Sequence, residues 1–338
     1  MWIGRCGSPV TQPSGLNIPG FKARMLLGTG RTAIVYLAND ERGRQVALKI
    51  PRPGIMQDPV MSRVFYTEVV MLKSLEHPNV VRYFGGAPTG AQAHLAMQFF
   101  SDGELDPEPV KLEQGLRLLA DIAAALEYCH GQRVVHQDVK PSNIYVDNGK
   151  AYLADFGAAS SEQVQNPPAG SPFYMAPEIF RGENGTPRTD IYSFGVVAYE
   201  LLTKVRPLLG DSLEELQALH LTQTPRMAKD LNPAIPMQVA RMVDRCLAKE
   251  PHLRPNAKEF RKVLEETIGK RFEAAQPSAP VAPPVAAAPT EPQQVFGRGG
   301  TRLPLMQPVA RNSPNASTPP KSKVTKPASV LERLFKRK

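Results

Sequence analysis

One short segment carries side chains that could accept a proton, neutralise an anion and bind a cation. The pattern HxDxxxxN joins His136, Asp138 and Asn143, with Lys140 inside it, and Asp155 follows twelve residues after the asparagine. In a chain of this composition the pattern should occur by chance only about 0.007 times, so it is a specific signal. On an extended loop, residues two apart point the same way, so Asp138 and Lys140 would face one reaction centre. Hard oxygen ligands of the kind found here suit Mg²⁺.

A second group lies nearer the N-terminus, where two glycines precede a lysine. Gly28 and Gly30 stand between two strand-like runs, so backbone N–H groups of this hairpin could close over phosphates. A GxG pair is expected by chance about twice in this chain, and alone it is explained more simply as a hairpin turn. Lys49 ends the apolar run 46–48, where a buried ammonium group needs an anionic partner. Glu68, on a segment of helical periodicity, offers that partner; the alternative is two surface charges.

The elements that must position these residues change type along the chain. Short apolar and β-branched runs at 21–38, 45–50, 80–84 and 94–100 predict strands, and one helix is predicted among them at 59–76. From about residue 105 the periodicity is helical, with helices predicted at 112–130, 190–202, 213–221, 237–249 and 257–268. The sequence therefore predicts an α+β fold with a small β-rich lobe, which contains one main helix, and a larger, mainly helical lobe.

Two further motifs follow the first in order, Asp155-Phe156-Gly157 and Ala176-Pro177-Glu178. With them the chain resembles the Ser/Thr protein kinases, and more loosely the eukaryotic-type (Hanks-type) kinases of bacteria, over roughly residues 21–270. The resemblance implies a bilobal protein-kinase fold with ATP and Mg²⁺ as cofactors. It implies an enzyme that phosphorylates Ser and Thr hydroxyls of protein substrates, itself included.

The resemblance also implies catalytic roles for individual residues. Asp138 would accept the proton of the attacking hydroxyl, and Lys140 would neutralise the transferring phosphate. Lys49 would hold the α- and β-phosphates while paired with Glu68. Such a set suits phosphoryl transfer, because its loose transition state is stabilised by positioning and charge neutralisation rather than by covalent work of the protein.

Ligand-binding and structural roles follow from the same resemblance. Mg²⁺ would be held by Asn143 and Asp155. Asp190 would brace the catalytic loop, and Arg254 would pair with Glu178. The nucleotide would be bound by the phosphate loop, the strands behind it and the hinge, namely Leu27, Gly28, Thr29, Gly30, Val35, Ala47, Lys49, Met97, Gln98 and Phe100.

The chain departs from the family pattern at two positions. Gln137 stands where the family usually has arginine, and a neutral amide cannot pair with a phosphorylated loop as a guanidinium does. Residues 170–174 resemble the family's segment that receives a Ser or Thr substrate, here called the substrate segment. Before it, the loop from Ala158 to Gly170 has hydroxyl groups only at Ser160 and Ser161. We therefore predict activity that does not depend on phosphorylation of this loop. The second departure, Ala33 in place of the third glycine, should cost only modest nucleotide affinity.

Two other function classes fit part of the pattern. A pseudokinase or scaffold would keep the fold for binding without efficient catalysis. The loss of one key residue would favour this class, but all five are present: Lys49, Glu68, Asp138, Asn143 and Asp155. A small-molecule phosphotransferase of the aminoglycoside or choline type would share HxDxxxxN, yet it should lack the Ala176-Pro177-Glu178 motif and the substrate segment before it.

Charge and composition set the C-terminal part of the chain apart. Residues 274–338 contain ten Lys or Arg and two Asp or Glu, which is +8 of the net charge of +9, together with 12 of the 34 prolines. This tail also has almost no aromatic residues, so it cannot bury enough apolar surface to offset the loss of chain entropy on folding. It is therefore predicted to be disordered. The predicted organisation is an irregular lead-in at 1–20, a kinase domain at 21–272 divided near residue 100, and a tail at 273–338.

The tail also carries the predicted partner surfaces. Its PxxP spacings could engage a proline-recognition domain, and the basic amphipathic segment 330–338 could dock in a helix-binding groove or make a weak peripheral membrane contact; a passive tether is the alternative. No specific nucleic-acid binding is expected, because the basicity is confined to the tail. Three dispersed cysteines, no apolar run near 20 residues and no secretory signal favour a cytoplasmic location.

Overall fold

The computed structural model describes residues 18–161 and 171–275, with side chains up to residue 270. The predicted tail, with its PxxP and amphipathic segments, and most of the lead-in lie outside the described residues. Within the described part of the chain, no helix is long and apolar enough to cross a lipid bilayer.

An antiparallel sheet of five strands forms the small lobe, in the order β1-β2-β3-β5-β4. A tight turn joins β2 to β3, in which the Asp40 carboxylate accepts hydrogen bonds from the backbone N–H groups of Arg42 and Arg44 and Gly43 adopts a positive φ of 76°. That turn matches the turn residues seen in the sequence. The strands are β1 (Phe21–Thr29), β2 (Ala33–Asp40), β3 (Gln45–Pro51), β4 (Tyr83–Ala87) and β5 (His94–Gln98).

One long helix, α1 (Pro59–Ser74), packs against this sheet. It begins where the sequence supplies a start signal: the Asp58 carboxylate caps the N–H groups of Val60 and Met61 at 2.8 and 2.9 Å, and Pro59 occupies the first turn. Its buried face carries Phe65, Val69 and Leu72 at helical spacing, and also Glu68. The same periodicity that buries the apolar residues therefore buries this carboxylate.

The large lobe is mainly helical and is built around α4. Helix α4 is buried on almost every side, as expected for a helix without a polar face. Gly195 makes this possible, because a Cβ there would lie 2.5 Å from the Cβ of Cys246 in α7. The elements are α2 (Leu112–Gly131), β6 (Ile144–Asp147), β7 (Lys150–Leu153), α3 (Pro177–Phe180), α4 (Pro187–Thr203), α5 (Leu213–Thr222), α6 (Ala228–Leu231), α7 (Met237–Cys246) and α8 (Ala257–Ala275).

The two-lobed α+β prediction is confirmed, with local differences. The strand predicted at 80–84 begins at Tyr83 instead, because Val80 bridges to Leu153 of β7 and the Val81 N–H donates to the Leu153 carbonyl at 2.9 Å. The short hairpin β6–β7 was not predicted. Helix α8 continues through Ala275, past the predicted domain end at 272.

Candidate active site

The cleft between the lobes is lined on its upper side by Lys49 and Glu68. Antiparallel pairing places Lys49 of β3 between Val35 and Leu95, and its Nζ lies 2.6 Å from both carboxylate oxygens of Glu68 in α1. The Lys49 Nζ also lies 3.9 Å from Oδ1 of Asp155. The ammonium group is thus held by two carboxylates.

The buried pair has shifted proton affinities. Burial would lower the pKa of Lys49, but the carboxylates of Asp155 and Glu68 outweigh it and hold that pKa above its ordinary value. Burial raises the pKa of Glu68 to about 7; the Lys49 ammonium opposes this rise and Asp155 adds to it. Lys49 therefore stays charged over the whole physiological range, whereas the charge of Glu68 depends on pH.

The segment after α2 is held in an unusual backbone shape by Asp190. The buried Asp190 carboxylate accepts the backbone N–H groups of His136 and Gln137 at 2.9 and 2.7 Å, and Nε2 of His130 lies 2.8 Å from it. Gln137 has a φ of 66°, in the left-handed region that costs a non-glycine residue on the order of 1 kcal/mol. The two N–H bonds to Asp190, itself in the first turn of α4, hold this turn in place, and the turn sets the position of Asp138.

Asp138 is the centre of a small hydrogen-bonded group. Its Oδ2 lies 2.5 Å from the Lys140 ammonium and 3.0 Å from the Asn143 amide nitrogen, which also donates to the Asp138 carbonyl at 2.8 Å. Its Oδ1 accepts the backbone N–H of Ser171 at 3.1 Å. Both carboxylate oxygens are oriented, and the start of the predicted substrate segment lies directly beside them.

Asp155 lies across the cleft from this group, at a left-handed φ of 63°. The following Phe156 is fully buried and packs edge-on against His136 at a ring distance of 4.8 Å, while the Asp155 side chain remains 47% exposed to the cleft. The Lys49 ammonium is the main cause of a pKa of Asp155 below the ordinary carboxyl value. Asp155 is therefore ionised at neutral pH.

The chemistry of the donors fits a magnesium ion. The Asn143 amide nitrogen donates to Asp138, whereas the Asn143 Oδ1 accepts no hydrogen bond from any described residue. Asp155 supplies an ionised carboxylate. In the described ranges no cluster of three or more His, Cys, Asp or Glu could form an all-protein metal site. That is the arrangement expected for Mg²⁺, which is bound through one or two carboxylates together with substrate phosphates.

Lys49, Glu68, Lys140, Asn143 and Asp155 line one cavity of about 290 Å³, and Asp138 is bonded to two of them, Lys140 and Asn143. A smaller space of the cleft, beside the hinge, is lined by Ala47, Gln98 and Phe100, and Met97 lines both. Leu27 is half-buried at the end of β1 and lines neither space. The structure brings the other predicted nucleotide-binding residues to the larger cavity, namely Gly28, Thr29, Gly30, Val35 and Lys49, with Asn143 and Asp155 opposite.

The residues of this cavity that the sequence did not single out include Arg31, Glu104 and Tyr145. Tyr145 lies two residues after Asn143 on β6, and its ring stacks on Phe100 with centroids 5.3 Å apart. Little in the sequence pointed to Tyr145, because β6 has only four residues and Asn143 belongs to the helical turn that precedes it. Arg31 is at the tip of the glycine hairpin, next to residues already singled out.

Gln137 fills the place of the expected arginine with a neutral contact. Its side-chain amide donates to the Ala158 carbonyl at 3.1 Å, and its Oε1 lies where a Cβ of Gly185 would come within 2.5 Å. The amide thus joins the catalytic loop to the segment after Asp155. Glu178 lies at the other end of that segment. It accepts two hydrogen bonds, of 2.7 and 2.8 Å, from the fully buried guanidinium group of Arg254, which is the predicted pair.

A two-lobed fold with a Lys–Glu pair above a cleft and an Asp–Lys–Asn group below it defines the protein kinase class. The family model described as protein kinase domain matches residues 21–264, and the chain belongs to this family. Proteins of this family use ATP and a divalent metal ion.

The curated proteins similar to this chain include proteins from several bacteria that are named as Ser/Thr protein kinases. The Ser/Thr protein kinase PrkC of Bacillus subtilis is 32% identical over 273 residues, covering 77% of this chain and 42% of that protein. PknB of Mycobacterium leprae is 32% identical, covering 68% and 40%, and the DNA damage-responsive kinase RqkA of Deinococcus radiodurans is 34% identical, covering 74% and 39%. The chain thus spans about two fifths of the length of these relatives.

Proposed function

We propose that this chain transfers the γ-phosphate of ATP to Ser and Thr hydroxyl groups of protein substrates, including its own. The observation that carries the proposal is the convergence on one cavity of Lys49, Glu68 and Asp155 above and of Lys140 and Asn143 below. The last two are both bonded to the Asp138 carboxylate. The named relatives, all Ser/Thr kinases, support the same reaction. We assign the catalytic domain to about residues 21–272.

In the proposed reaction the hydroxyl oxygen of the substrate bonds to the γ-phosphorus while the bond from that phosphorus to the β,γ-bridging oxygen breaks. The hydroxyl proton passes to the Asp138 carboxylate, and ADP leaves with the electron pair of the broken bond. Lys140, 2.5 Å from Asp138, neutralises charge on the group in transfer. Little covalent work falls to the protein, so orientation of these side chains supplies most of the catalysis.

Lys49 and the hinge position the nucleotide. The Lys49 ammonium, fixed by Glu68 at 2.6 Å, binds the α- and β-phosphates, and backbone groups at Gln98 to Phe100 bind the base. Asn143 and Asp155 would hold Mg²⁺, which would supply positive charge beside the phosphates. The small lobe thus binds ATP, and the large lobe presents the hydroxyl.

Independence from loop phosphorylation is part of the proposal. The amide of Gln137 anchors Ala158 without any phosphate, and Ser160 is 8% exposed, bridged on both sides to Val135 by backbone bonds of 2.9 Å. A buried, bridged serine is a poor phosphorylation site. We expect phosphatase-treated protein, and the Ser160→Ala/Ser161→Ala variant, to keep most of the activity. Loss of most activity in either case would contradict this part.

Transfer of labelled γ-phosphate tests the reaction itself. Wild-type protein with ATP and Mg²⁺ should label protein acceptors on serine and threonine, and Asp138→Asn should reduce the rate at least about 100-fold. Asp230→Asn, which removes an exposed carboxylate on α6, is the matched control and should retain the wild-type rate. Equal labelling by wild type and Asp138→Asn would refute the proposal, and labelled tyrosine would refute its specificity.

A further inference from the structure

The phosphate loop carries a guanidinium group that the roles described above leave unused. Arg31 lines the nucleotide cavity together with two other cations, Lys49 and Lys140. Lys49 is paired with Glu68, and Lys140 with Asp138. Arg31 forms no hydrogen bond or ion pair with any residue in the part of the chain that the structure describes. Among the three cations that line the cavity, Arg31 is the one that no carboxylate of the described residues neutralises.

Strand register places Arg31 at one particular end of the cavity. At the hinge end, Gln98 pairs with Val46; three residues along the sheet, Leu95 pairs with Lys49. Beyond Lys49 the sheet continues for two residues, to the pairing of Pro51 with Ala33, about 7 Å further at the usual rise per residue. The tip 30–33 therefore lies past the lysine, on the side away from the base.

The backbone around Arg31 is also held in place. The Gly30 N–H donates to the Ala33 carbonyl at 2.8 Å, and the Arg52 guanidinium donates to the Gly30 carbonyl at 3.2 Å. The Arg52 N–H donates to the Thr32 carbonyl at 2.9 Å. The carbonyls of Gly30 and Thr32, on either side of Arg31, are thus both bonded to Arg52, the residue directly after β3. The Arg31 side chain therefore extends from a backbone that is held in place.

From these observations we infer that Arg31 binds the terminal phosphate of ATP and makes the site selective for the triphosphate over the diphosphate. This inference rests on the proposed function for the identity of the nucleotide. A guanidinium at the far end of the cavity meets charge that is present in ATP and absent in ADP. The Arg31 guanidinium takes no proton and forms no covalent bond. It holds the γ-phosphate before transfer and, because ADP lacks that phosphate, it binds ADP less tightly after transfer.

Binding of ATP and of ADP, each with Mg²⁺, to the full chain by calorimetry is the test. In Arg31→Ala we expect ATP affinity to fall about tenfold and ADP affinity by about twofold or less, since one partly exposed charge-assisted contact is lost. Arg31→Lys should restore part of the difference. Arg24→Ala removes an equally exposed arginine from the same hairpin, outside the cavity, and should change neither affinity. The selectivity should also shrink as salt is raised.

Several results would overturn the inference. Equal losses of ATP and ADP affinity, no loss at all, or an effect confined to the KM of the protein acceptor would each do so. An unfolding midpoint equal to wild type establishes that Arg31→Ala is folded. The proposed function fails separately: wild-type protein that binds ATP more tightly than ADP, and loses that preference in Arg31→Ala, yet transfers no phosphate, would keep the Arg31 contact and refute the enzyme.

Discussion

Replacing Gly185 with alanine perturbs the Gln137 anchor without altering the glutamine itself. The new Cβ would stand 2.5 Å from Oε1, 2.9 Å from Cδ and 3.0 Å from Cγ of Gln137. Carbon atoms essentially never approach within 3.0 Å of such neighbours, so the whole side chain must move by at least several tenths of an ångström. The amide would then give up its 3.1 Å bond to the Ala158 carbonyl.

The cost combines two effects. A lost hydrogen bond is worth about 1 kcal/mol, and a crowded contact that must relax adds about 1 kcal/mol at the low end of overpacking effects. We expect Gly185→Ala to lower the free energy of unfolding by about 2 kcal/mol. The phosphotransfer rate of unphosphorylated protein should fall as well, because the segment after Asp155 loses its link to the catalytic loop.

A double-mutant cycle separates this clash from other effects of the methyl group. In a Gln137→Ala background the crowded atoms are gone, and Gly185 does not have a positive φ that alanine would resist. There the same change should be neutral, or stabilise by a few tenths of a kcal/mol through the unfolded chain. Urea denaturation of the four proteins gives the coupling energy, expected near 2 kcal/mol. If Gly185→Ala costs the same in both backgrounds, the reasoning about Gln137 is wrong.

Three further predictions follow from the cleft and the large lobe. Lys49→Met should reduce the initial rate of phosphotransfer at saturating ATP by at least about 100-fold, while circular dichroism and gel filtration remain those of wild type, since Glu68 can take up a proton. Because the pKa of Glu68 is about 7 in the folded protein and 4.5 when exposed, kcat/KM should fall as pH drops through 7. Between pH 7 and 4.5 the Glu68 carboxyl binds a proton in the folded state but not in the unfolded state, so its contribution to the free energy of unfolding rises as pH falls over this interval. The Glu68→Gln variant should lose both trends, which is checked by measuring kcat/KM and the free energy of unfolding as functions of pH. Arg254→Met leaves Glu178 buried without its partner and should lower the free energy of unfolding in urea by about 3–5 kcal/mol, part of which Glu178→Leu in the same chain should restore.

The sequence predicted those parts of the fold that have strong periodicity or explicit start signals. Helix α1 was found because its apolar residues recur on one face and Asp58-Pro59 begins it. Strand β4 was displaced by three residues, because the apolar run from Val80 looks like a strand but its first residues pair with Leu153, seventy residues away in sequence. A long-range partner of this kind leaves no mark on local periodicity.

The β6–β7 hairpin was missed although a local signal existed. Its strands have four residues each, too short for alternation to stand out. The turn between them contains Asn148-Gly149, both with positive φ, of 51° and 73°. An Asn-Gly pair between two short runs is the strongest short-range hairpin signal in a sequence.

Site residues within a contiguous motif were predictable from the sequence, and contacts between distant segments were predicted only where the family resemblance implied them, as for Arg254 with Glu178. The HxDxxxxN spacing pointed to Asp138 and Asn143, yet nothing in it reveals that the Ser171 N–H would bond to the Asp138 carboxylate. Tyr145 and Glu104 reach the cavity through strand geometry and the path of the hinge. Arg31 was not predicted, because a pair of glycines indicates phosphate binding by backbone N–H groups and gives no information about the neighbouring side chain.

The manner in which Asp190 holds the catalytic loop bears on how freely that loop can change in sequence. The carboxylate binds main-chain N–H groups of residues 136 and 137 and makes no demand on their side chains. Arginine and glutamine both have a backbone nitrogen that can donate this hydrogen bond. Either residue at position 137 is therefore compatible with the contact to Asp190 that sets the position of Asp138.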